Sequence, residues 1–275
     1  MGIDEAYENL RQAIRAMGRV AVAYSGGVDS VFLCRVSHDV LGDDAVAITV
    51  VSPLLPGSEL EEAKRLAAAI GIRHILLHEE SIDPAVAENP TDRCYRCKKI
   101  EFSVIAKAAA EAGIANILDG SNLDDLSDYR PGLKALAELG VHSPLRDAGL
   151  CKADIRALSR RIGLPTWDKP AFACLASRVP YGEKITSEKL HRIDEAESYL
   201  RGIGLRQVRV RSHQDLARIE VAREERVKLC DPATMDEVSA RLKFIGFLYV
   251  CLELQGYEMG SMNRTIGTKE GTAHG

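Results

Sequence analysis

The sequence has few aromatic residues and no long apolar run. Phe, Trp and Tyr together make up 5% of the 275 residues. The longest apolar stretch, around residues 244–254, is interrupted by Gly246 and Glu253 and is shorter than the roughly 18 to 20 residues that cross a bilayer. The N-terminal residues are charged and amphipathic and do not resemble an export signal. We therefore expect a cytoplasmic protein with no membrane partner.

The chain also has no net positive charge. The formal net charge is −4, so we expect no nucleic-acid partner held by bulk electrostatic attraction. The seven cysteines are odd in number, and without an export signal they argue against a disulfide framework. Most should be buried thiols, and a minority could serve as metal ligands or nucleophiles.

Strands and helices alternate over the first two-thirds of the chain. This order predicts an α/β fold, a doubly wound parallel sheet with helices on both faces. The pattern changes after Trp167, where two prolines and the lack of periodicity predict a linker over residues 168–186 that also serves as a functional loop. Helices and strands beyond it predict a smaller α+β domain. The predicted domains are residues 1–168 and 169–275.

The stretch from Ser25 to Ser30 reads SGGVDS and separates an apolar strand from an apolar helix. Gly26 and Gly27 allow an anion to approach the backbone N–H groups at the helix N-terminus, and the two serines add hydroxyl donors. The spacing is neither that of a Walker A loop nor that of a Rossmann loop. We interpret the stretch as a phosphate cradle in preference to a simple helix cap, with Asp29 functional if it is buried.

A second strand ends in small and acidic residues, in the stretch LDGSNLDD that starts at Leu118. Gly120 would let the backbone approach a ligand, and Asp124 and Asp125 could hold Mg²⁺ or a ribose. Each carboxylate also fits an ordinary helix cap that complements the helix dipole. Both interpretations stay open at this point.

Cys94 and Cys97 have C-x-x-C spacing within NPTDRCYRCKK, which we predict to be a long loop. Two thiols at this spacing can reach one metal ion or form a dithiol. Zinc needs two further ligands, and no second C-x-x-C motif is present. Cys174 is a third cysteine in a predicted loop, and three thiolates on a [4Fe–4S] cluster leave one iron open to another ligand.

The SGGVDS loop matches the S-G-G-x-D-S motif of the PP-loop ATP pyrophosphatases. The chain as a whole resembles the LarE family over about residues 10–264, through six stretches: SGGVDS, NPTDRCYRCKK, DGSNLDD, KPAFACLASRVPYG, VRVRSHQDLARIEV and YVCLELQGYEMGSMN. The resemblance implies an ATP-dependent sulfur transferase that forms an acyl-adenylate. Its implied reaction converts the carboxylates of pyridinium-3,5-biscarboxylic acid mononucleotide to thiocarboxylates during biosynthesis of the nickel-pincer nucleotide cofactor.

The same resemblance implies ATP, Mg²⁺ and a [4Fe–4S] cluster as cofactors. In one type of LarE protein the cysteine at the position of Cys174 gives up its own sulfur, and in the other type three cysteines hold a cluster that delivers sulfide. This chain resembles the cluster type, with Cys94, Cys97 and Cys174 as ligands. Cys174 and Asp29 are the implied catalytic residues. The implied partners are a small-molecule nucleotide, a sulfide or other sulfur donor, and further copies of the chain in a homo-oligomer such as a hexamer.

Three arginines are candidates for binding the 5′-phosphate of such a substrate. Arg209 and Arg211 alternate on one face of a predicted strand, and Arg178 follows Cys174 closely. Solvent-facing strand arginines are the alternative. Two other functions also remain open: a tRNA-thiolating PP-loop enzyme, and a non-catalytic protein that binds nucleotide and senses iron or redox state.

Overall fold

The structure is a computed structural model that describes residues 2–126, 131–170, 173–258 and 260–263. The helices are α1 (Ile3–Met17), α2 (Val28–Leu41), α3 (Gly57–Ile70), α4 (Pro84–Ala87), α5 (Arg93–Glu111), α6 (Pro131–Glu138), α7 (Pro144–Asp147), α8 (Lys152–Arg161), α9 (Ser187–Gly202) and α10 (Pro232–Ile245). The strands are β1 (Val20–Ala23), β2 (Ala45–Val51), β3 (Arg73–His78), β4 (Asn116–Leu118), β5 (Val208–His213), β6 (Leu216–Val221) and β7 (Tyr249–Leu252). None of the described helices is long and apolar enough to cross a membrane.

The chain divides into two compact units. Unit 1 consists of Met1–Ser52, Gly57–Glu80 and Asp92–Phe172, and unit 2 consists of Pro53–Pro56, Ser81–Thr91 and Ala173–Gly275. Two short segments from the first half of the chain therefore group with the C-terminal half. The predicted domain boundary after residue 168 assigns these two segments to the N-terminal domain, and it stays a prediction. Ala171 and Phe172, which belong to the predicted linker, lie outside the described residues.

Unit 1 contains a parallel sheet with the strand order β3-β2-β1-β4. Strand β1 lies between two partners, since Val20 pairs with Ala45 of β2 on one side and with Asn116 of β4 on the other. Ligands of open α/β sheets bind where the strand order reverses, outside the carboxyl ends of the strands. The loops that follow β1 and β4 meet at this position.

Helices cover both faces of this sheet. Val22 belongs to a core shared with Phe32 of α2, whereas its neighbour Ala21 belongs to a core shared with Phe102 of α5. Residues that alternate along a strand point to opposite faces, so β1 is buried on both sides and is apolar throughout. The predicted α/β fold with a doubly wound parallel sheet is confirmed.

Unit 2 is a smaller α+β domain, also as predicted. Its sheet has the order β5-β6-β7, in which β5 and β6 are antiparallel and β6 and β7 are parallel. Helices α9 and α10 contribute Ile193 and Leu242 to a core with Val210 and Ile219 of the sheet. Apolar residues of β5 thus face the helices.

One predicted element is wrong. The C-x-x-C segment is not in a loop, because helix α5 begins at Arg93 and includes both Cys94 and Cys97. The sequence contains the signals for this start, with a proline at position 90 and Asp92 at the N-cap position. The dense run of charged residues concealed them, since the first two turns of the helix show little apolar periodicity.

The side chains of Thr49 in β2 and His74 at the start of β3 form a hydrogen-bonded group with the backbone carbonyl of Tyr24, the residue after β1. The Thr49 hydroxyl donates to the Tyr24 carbonyl at 2.6 Å and contacts Nε2 of His74 at 2.8 Å. Because the hydroxyl hydrogen is already used, Nε2 of His74 must carry a proton and donate. Burial of the ring, together with the nearby Lys64 ammonium, lowers the pKa of His74.

A histidine whose pKa is lowered on folding makes the free energy of unfolding depend on pH. The unfolded chain binds the proton more tightly, so stability is lost as the pH falls below about 6.5. We expect the free energy of unfolding in urea to fall less between about pH 7.5 and about pH 5.5 in His74→Gln than in wild type. The control is His191→Gln, at a histidine 80% exposed, which should keep the wild-type slope. Equal slopes in His74→Gln and wild type would contradict the prediction.

Candidate functional site

The SGGVDS loop of unit 1 leads directly into the N-terminus of α2. Gly26 has a φ of +73°, a conformation that glycine adopts readily, and Gly27 is the N-cap residue. Oγ of Ser30 accepts a hydrogen bond from the Ser25 N–H at 3.3 Å and donates to the Gly27 carbonyl at 3.2 Å. The loop therefore presents the first N–H groups of α2, as an anion cradle requires.

Two glycines bring backbone segments into close contact around this loop. A Cβ atom at Gly26 would lie 3.0 Å from Cβ of Ala63 in α3. A Cβ atom at Gly120 would lie 3.2 Å from the Ser30 nitrogen and 3.3 Å from Cβ of Asp29. The structure thus brings the two loops predicted from the sequence together, with Gly120 directly against the start of α2.

Asp29 lies in the first turn of α2 and is largely buried. One carboxylate oxygen, Oδ2, accepts a hydrogen bond from Nζ of Lys152 at 2.5 Å, whereas Oδ1 is buried without a hydrogen-bond partner in the described chain. Burial raises the pKa of Asp29, and the Lys152 ammonium partly opposes this effect. An unpartnered buried oxygen is costly, which favours a ligand-binding role over a simple cap.

Asp124 and Asp125 lie in a short 3₁₀ helix, Leu123–Leu126, that follows β4. Oδ2 of Asp124 accepts from the Lys152 N–H, and Oδ2 of Asp125 accepts from the Asn122 N–H, both at 2.9 Å. The first bond fixes the loop against the N-terminus of α8, and the second lies within the loop.

The donor chemistry around Asp29 suits Mg²⁺. Magnesium prefers oxygen ligands and is usually held by one or two carboxylates together with substrate phosphates, not by a cage made only of protein. Oδ1 of Asp29 is such an oxygen. Among the described residues no group of three or more His, Cys, Asp or Glu side chains forms a metal site, so the magnesium assignment stays a prediction.

Two lysines that the sequence analysis missed contact this region. Lys152, the first residue of α8, pairs with Asp29, and Lys169 donates to the Gly26 carbonyl at 3.2 Å. Lys152 did leave a signal in the sequence, because a cation at the positively charged end of a helix is unfavourable without a nearby anion. No local pattern marks Lys169, whose partners are distant along the chain.

Cys174 of unit 2 is exposed and is the N-cap residue of a 3₁₀ helix, Leu175–Arg178. Arg178 holds this turn in place. Its Nη1 donates to the carbonyls of Ala173 and Cys174 at 2.6 and 3.1 Å. Its Nε and Nη2 donate to the two carboxylate oxygens of Glu197 at 2.8 and 3.0 Å. Arg178 therefore links the segment that carries the exposed thiol to helix α9.

Arg178 and Glu197 are both fully buried. Burial alone would raise the pKa of Glu197, but the Arg178 guanidinium outweighs this effect and the pKa is lowered. Burial likewise opposes the charge of Arg178, but Glu197 keeps the pKa of Arg178 raised. The pair is therefore ionised and depends on both partners.

Arg209 and Arg211 lie on one face of β5, as predicted, but both are buried and neither faces solvent. Nε and Nη2 of Arg211 donate to Oε2 of Glu220 at 3.0 and 2.7 Å. Arg209 lies over the Tyr257 ring. Burial is the main cause that lowers the pKa of Arg209, and the positive charge of Arg178 is the second cause. Burial thus excludes the solvent-facing alternative. A phosphate-binding role for these arginines stays a prediction.

Cys94 and Cys97 lie in unit 1 and are half-buried. Residues three apart in a helix share one face, so α5 presents both thiols on the same side. Two thiolates on one side of a helix are chemically suitable ligands for a single metal centre. The assignment of Cys94, Cys97 and Cys174 as cluster ligands stays a prediction.

The Arg178–Glu197 pair provides a direct test of the organisation of unit 2. Glu197→Gln leaves a buried guanidinium without a countercharge, and we expect a loss of about 3–5 kcal/mol in the free energy of unfolding. The control is Glu195→Gln on the same helix, where the glutamate is 36% exposed and pairs with Arg241. That variant should lose less than about 1 kcal/mol. Urea unfolding measures both, and similar losses in the two variants would show that the buried pair is not critical.

The comparisons with known proteins agree with this geometry. No family model matches the chain. An uncharacterized protein of Synechocystis sp. is 46% identical over 265 residues, which cover 96% of this chain and 99% of that protein. The pyridinium-3,5-bisthiocarboxylic acid mononucleotide synthase of Lactiplantibacillus plantarum is 39% identical over 258 residues, 92% of each chain. The tRNA-specific 2-thiouridylase of Rickettsia felis is 27% identical over 190 residues, 55% of this chain and 52% of that enzyme.

The two kinds of similarity differ in extent. The match to the thiouridylase is limited to about half of each chain, whereas the match to the mononucleotide synthase extends over nearly the full length of both. The resemblance indicated by the six sequence stretches is thereby confirmed. This chain belongs to the LarE family, the family of the pyridinium-3,5-bisthiocarboxylic acid mononucleotide synthases.

Proposed function

We propose that this protein is an ATP-dependent sulfurtransferase that converts carboxylates of pyridinium-3,5-biscarboxylic acid mononucleotide to thiocarboxylates. The observation that carries the proposal is the glycine loop Ser25–Ser30, which opens α2 with the unpartnered Oδ1 of Asp29 beside it. Such a loop suits the phosphates of ATP. The similarity to the Lactiplantibacillus plantarum synthase over 92% of both chains supports the substrate class.

Residues of unit 1 perform the first step. Backbone N–H groups at the start of α2 and the hydroxyl of Ser25 bind the β- and γ-phosphates of ATP. Asp29 would hold Mg²⁺, which would supply positive charge to the phosphates. Lys152, already paired with Asp29, provides a second positive charge for the departing pyrophosphate.

Adenylation explains why the reaction consumes ATP. A carboxylate resists attack by sulfur because its negative charge repels a thiolate and oxide is a poor leaving group. We propose that a substrate carboxylate oxygen attacks the α-phosphorus, which breaks the bond to the β-phosphate and releases pyrophosphate. A sulfur nucleophile then attacks the acyl carbon of the adenylate, and AMP leaves with the former carboxylate oxygen.

Cys174 is the residue of unit 2 that we assign to sulfur transfer. Its thiol is exposed, as contact with a substrate requires, and Arg178 fixes the backbone carbonyl of the same residue. With Cys94 and Cys97 it makes up three thiolate ligands, the number that leaves one iron of a [4Fe–4S] cluster open. A cluster held by them would supply a binding position for the sulfide to be transferred.

The remaining parts of the proposal concern the substrate phosphate and the partners. We propose that Arg209 and Arg211 bind the 5′-phosphate, and Glu220 holds the guanidinium group of Arg211 in position. The same role for Arg178 stays a prediction, since its guanidinium group donates to Glu197. Sulfide or another sulfur donor would replenish the transferred sulfur. The chain would act as a homo-oligomer.

The release of pyrophosphate tests the proposed adenylation step. On addition of ATP and the biscarboxylic acid mononucleotide, wild type should release pyrophosphate, and Asp29→Asn should do so about 100-fold more slowly because a metal-binding charge is lost. Asp39→Asn, which changes a carboxylate on the same helix that pairs with Arg35, should retain the wild-type rate. A coupled phosphate assay with pyrophosphatase measures the release. Binding of ATP without any pyrophosphate release in wild type would instead indicate a sensor.

Iron and sulfide content tests the proposed roles of the cysteines. Anaerobically purified wild type and Cys230→Ala should contain about four iron atoms and at least four sulfide ions per chain, and Cys94→Ala should contain neither. Cys174→Ala should still release pyrophosphate but form no thiocarboxylate. Iron and acid-labile sulfide analysis together with mass spectrometry of the product measures these outcomes. Iron-free protein whose mass falls by one H₂S after turnover would overturn the cluster and identify Cys174 as a sacrificial donor.

A further inference from the structure

Lys169 contacts three acceptors in unit 1. Its ammonium donates to the Gly26 carbonyl at 3.2 Å and to the carboxylates of Glu59 and Glu62 at 2.7 Å each. The two glutamates are on α3, and the lysine side chain is 12% exposed. An ammonium has three N–H donors, so these contacts use its full donor capacity. Lys169 therefore ties the glycine loop to α3 and has no donor left for another ligand in this conformation.

The contact fixes the direction of one peptide group. The peptide bond between Gly26 and Gly27 is trans, as no cis bond occurs in the described residues. In a planar trans peptide the carbonyl of one residue and the N–H of the next point in opposite directions. Because the Gly26 carbonyl points at Lys169, the Gly27 N–H points away from it. Gly27 is the N-cap residue of α2, and in the described chain no protein acceptor receives this N–H.

The contact with Lys169 restrains the orientation of this peptide group. Glycine populates positive and negative φ with similar ease, so the peptide between two glycines can turn over with little steric cost. Gly26 lies against α3, where a Cβ atom would be 3.0 Å from that of Ala63, and Glu59 and Glu62 come from the first two turns of the same helix. Helix α3, the lysine and the loop thus form one connected group.

We propose that Lys169 is a positioning residue of the ATP site, which turns the Gly27 N–H toward the phosphates by holding the Gly26 carbonyl. The inference rests on the proposed function, since it requires that the loop bind ATP. Lys169 is not a catalytic residue here, because its donors are occupied by the protein. Its effect should be specific to phosphate-bearing ligands and absent for the nucleoside alone.

Calorimetric titration with ATP, inorganic pyrophosphate and adenosine tests the proposal. Lys169→Met should bind ATP and pyrophosphate about 10- to 100-fold more weakly, the range for one hydrogen bond to a charged group, and should bind adenosine as wild type does. The matched control is Lys64→Met, at an exposed lysine of α3 that pairs with Glu61, which should leave all three affinities unchanged. Equal ATP affinities in Lys169→Met and Lys64→Met would overturn the inference.

A charge-balanced variant separates geometry from net charge and avoids an unpaired carboxylate that could prevent folding. Lys169→Met combined with Glu59→Gln has the same net charge as wild type. It should bind ATP as weakly as Lys169→Met does. Recovery of the wild-type affinity would overturn the inference, because charge alone would then explain the effect.

A double-mutant cycle tests the route through Gly27. The φ of Gly27 is −76°, a value that proline adopts, so Gly27→Pro removes the N–H with little change in backbone conformation. In this background Lys169→Met should cause no further loss of ATP affinity. If the double variant instead loses affinity by the product of the two single-variant factors, Lys169 acts on the phosphates by another route and the proposal is overturned. Wild type that binds neither ATP nor pyrophosphate would refute the proposed function itself, a result distinct from all of these.

Discussion

The pairing of β1 with a parallel strand on each side is the constraint on which the site of unit 1 depends. With β2 on one side and β4 on the other, the ends of β1 and β4 are neighbours although they lie almost a hundred residues apart in the sequence. The sheet edge therefore brings Gly120 against Ser30. The close approach of the two loops favours glycine at position 120, because a Cβ atom there would lie 3.2 Å from the Ser30 nitrogen.

In unit 2 the main constraint is a buried pair of charged side chains. Arg178 and Glu197 are fully buried, and ions in such a position persist only when their hydrogen-bonding groups are matched. Arg178 achieves this by also donating to backbone carbonyls around Cys174. The exposed thiol is thus presented by a segment whose geometry is set from inside the unit. A rigid support of this kind suits a reacting group better than a loop held only by surface contacts.

Local patterns in the sequence predicted much of this structure. The strand and helix order predicted the parallel sheet, and the SGGVDS loop was located correctly because its glycines and serines follow an apolar strand directly. The prediction failed at Cys94 and Cys97, where charged residues hid the start of α5. It also missed Lys169, whose role depends on Glu59 and Glu62 more than a hundred residues away. Such pairings have no local signature.

The sequence by itself determined the fold class, the position of the glycine loop and the family, because hydrophobic periodicity and short motifs are encoded by neighbouring residues. The tertiary structure decided which side chains are buried and what they contact. Arg209 and Arg211 show the difference: alternation placed them on one face of a strand, but only packing revealed that this face is buried and that Arg211 is paired with Glu220. Burial and partner choice arise from contacts between distant segments, and for this reason no local pattern can specify them.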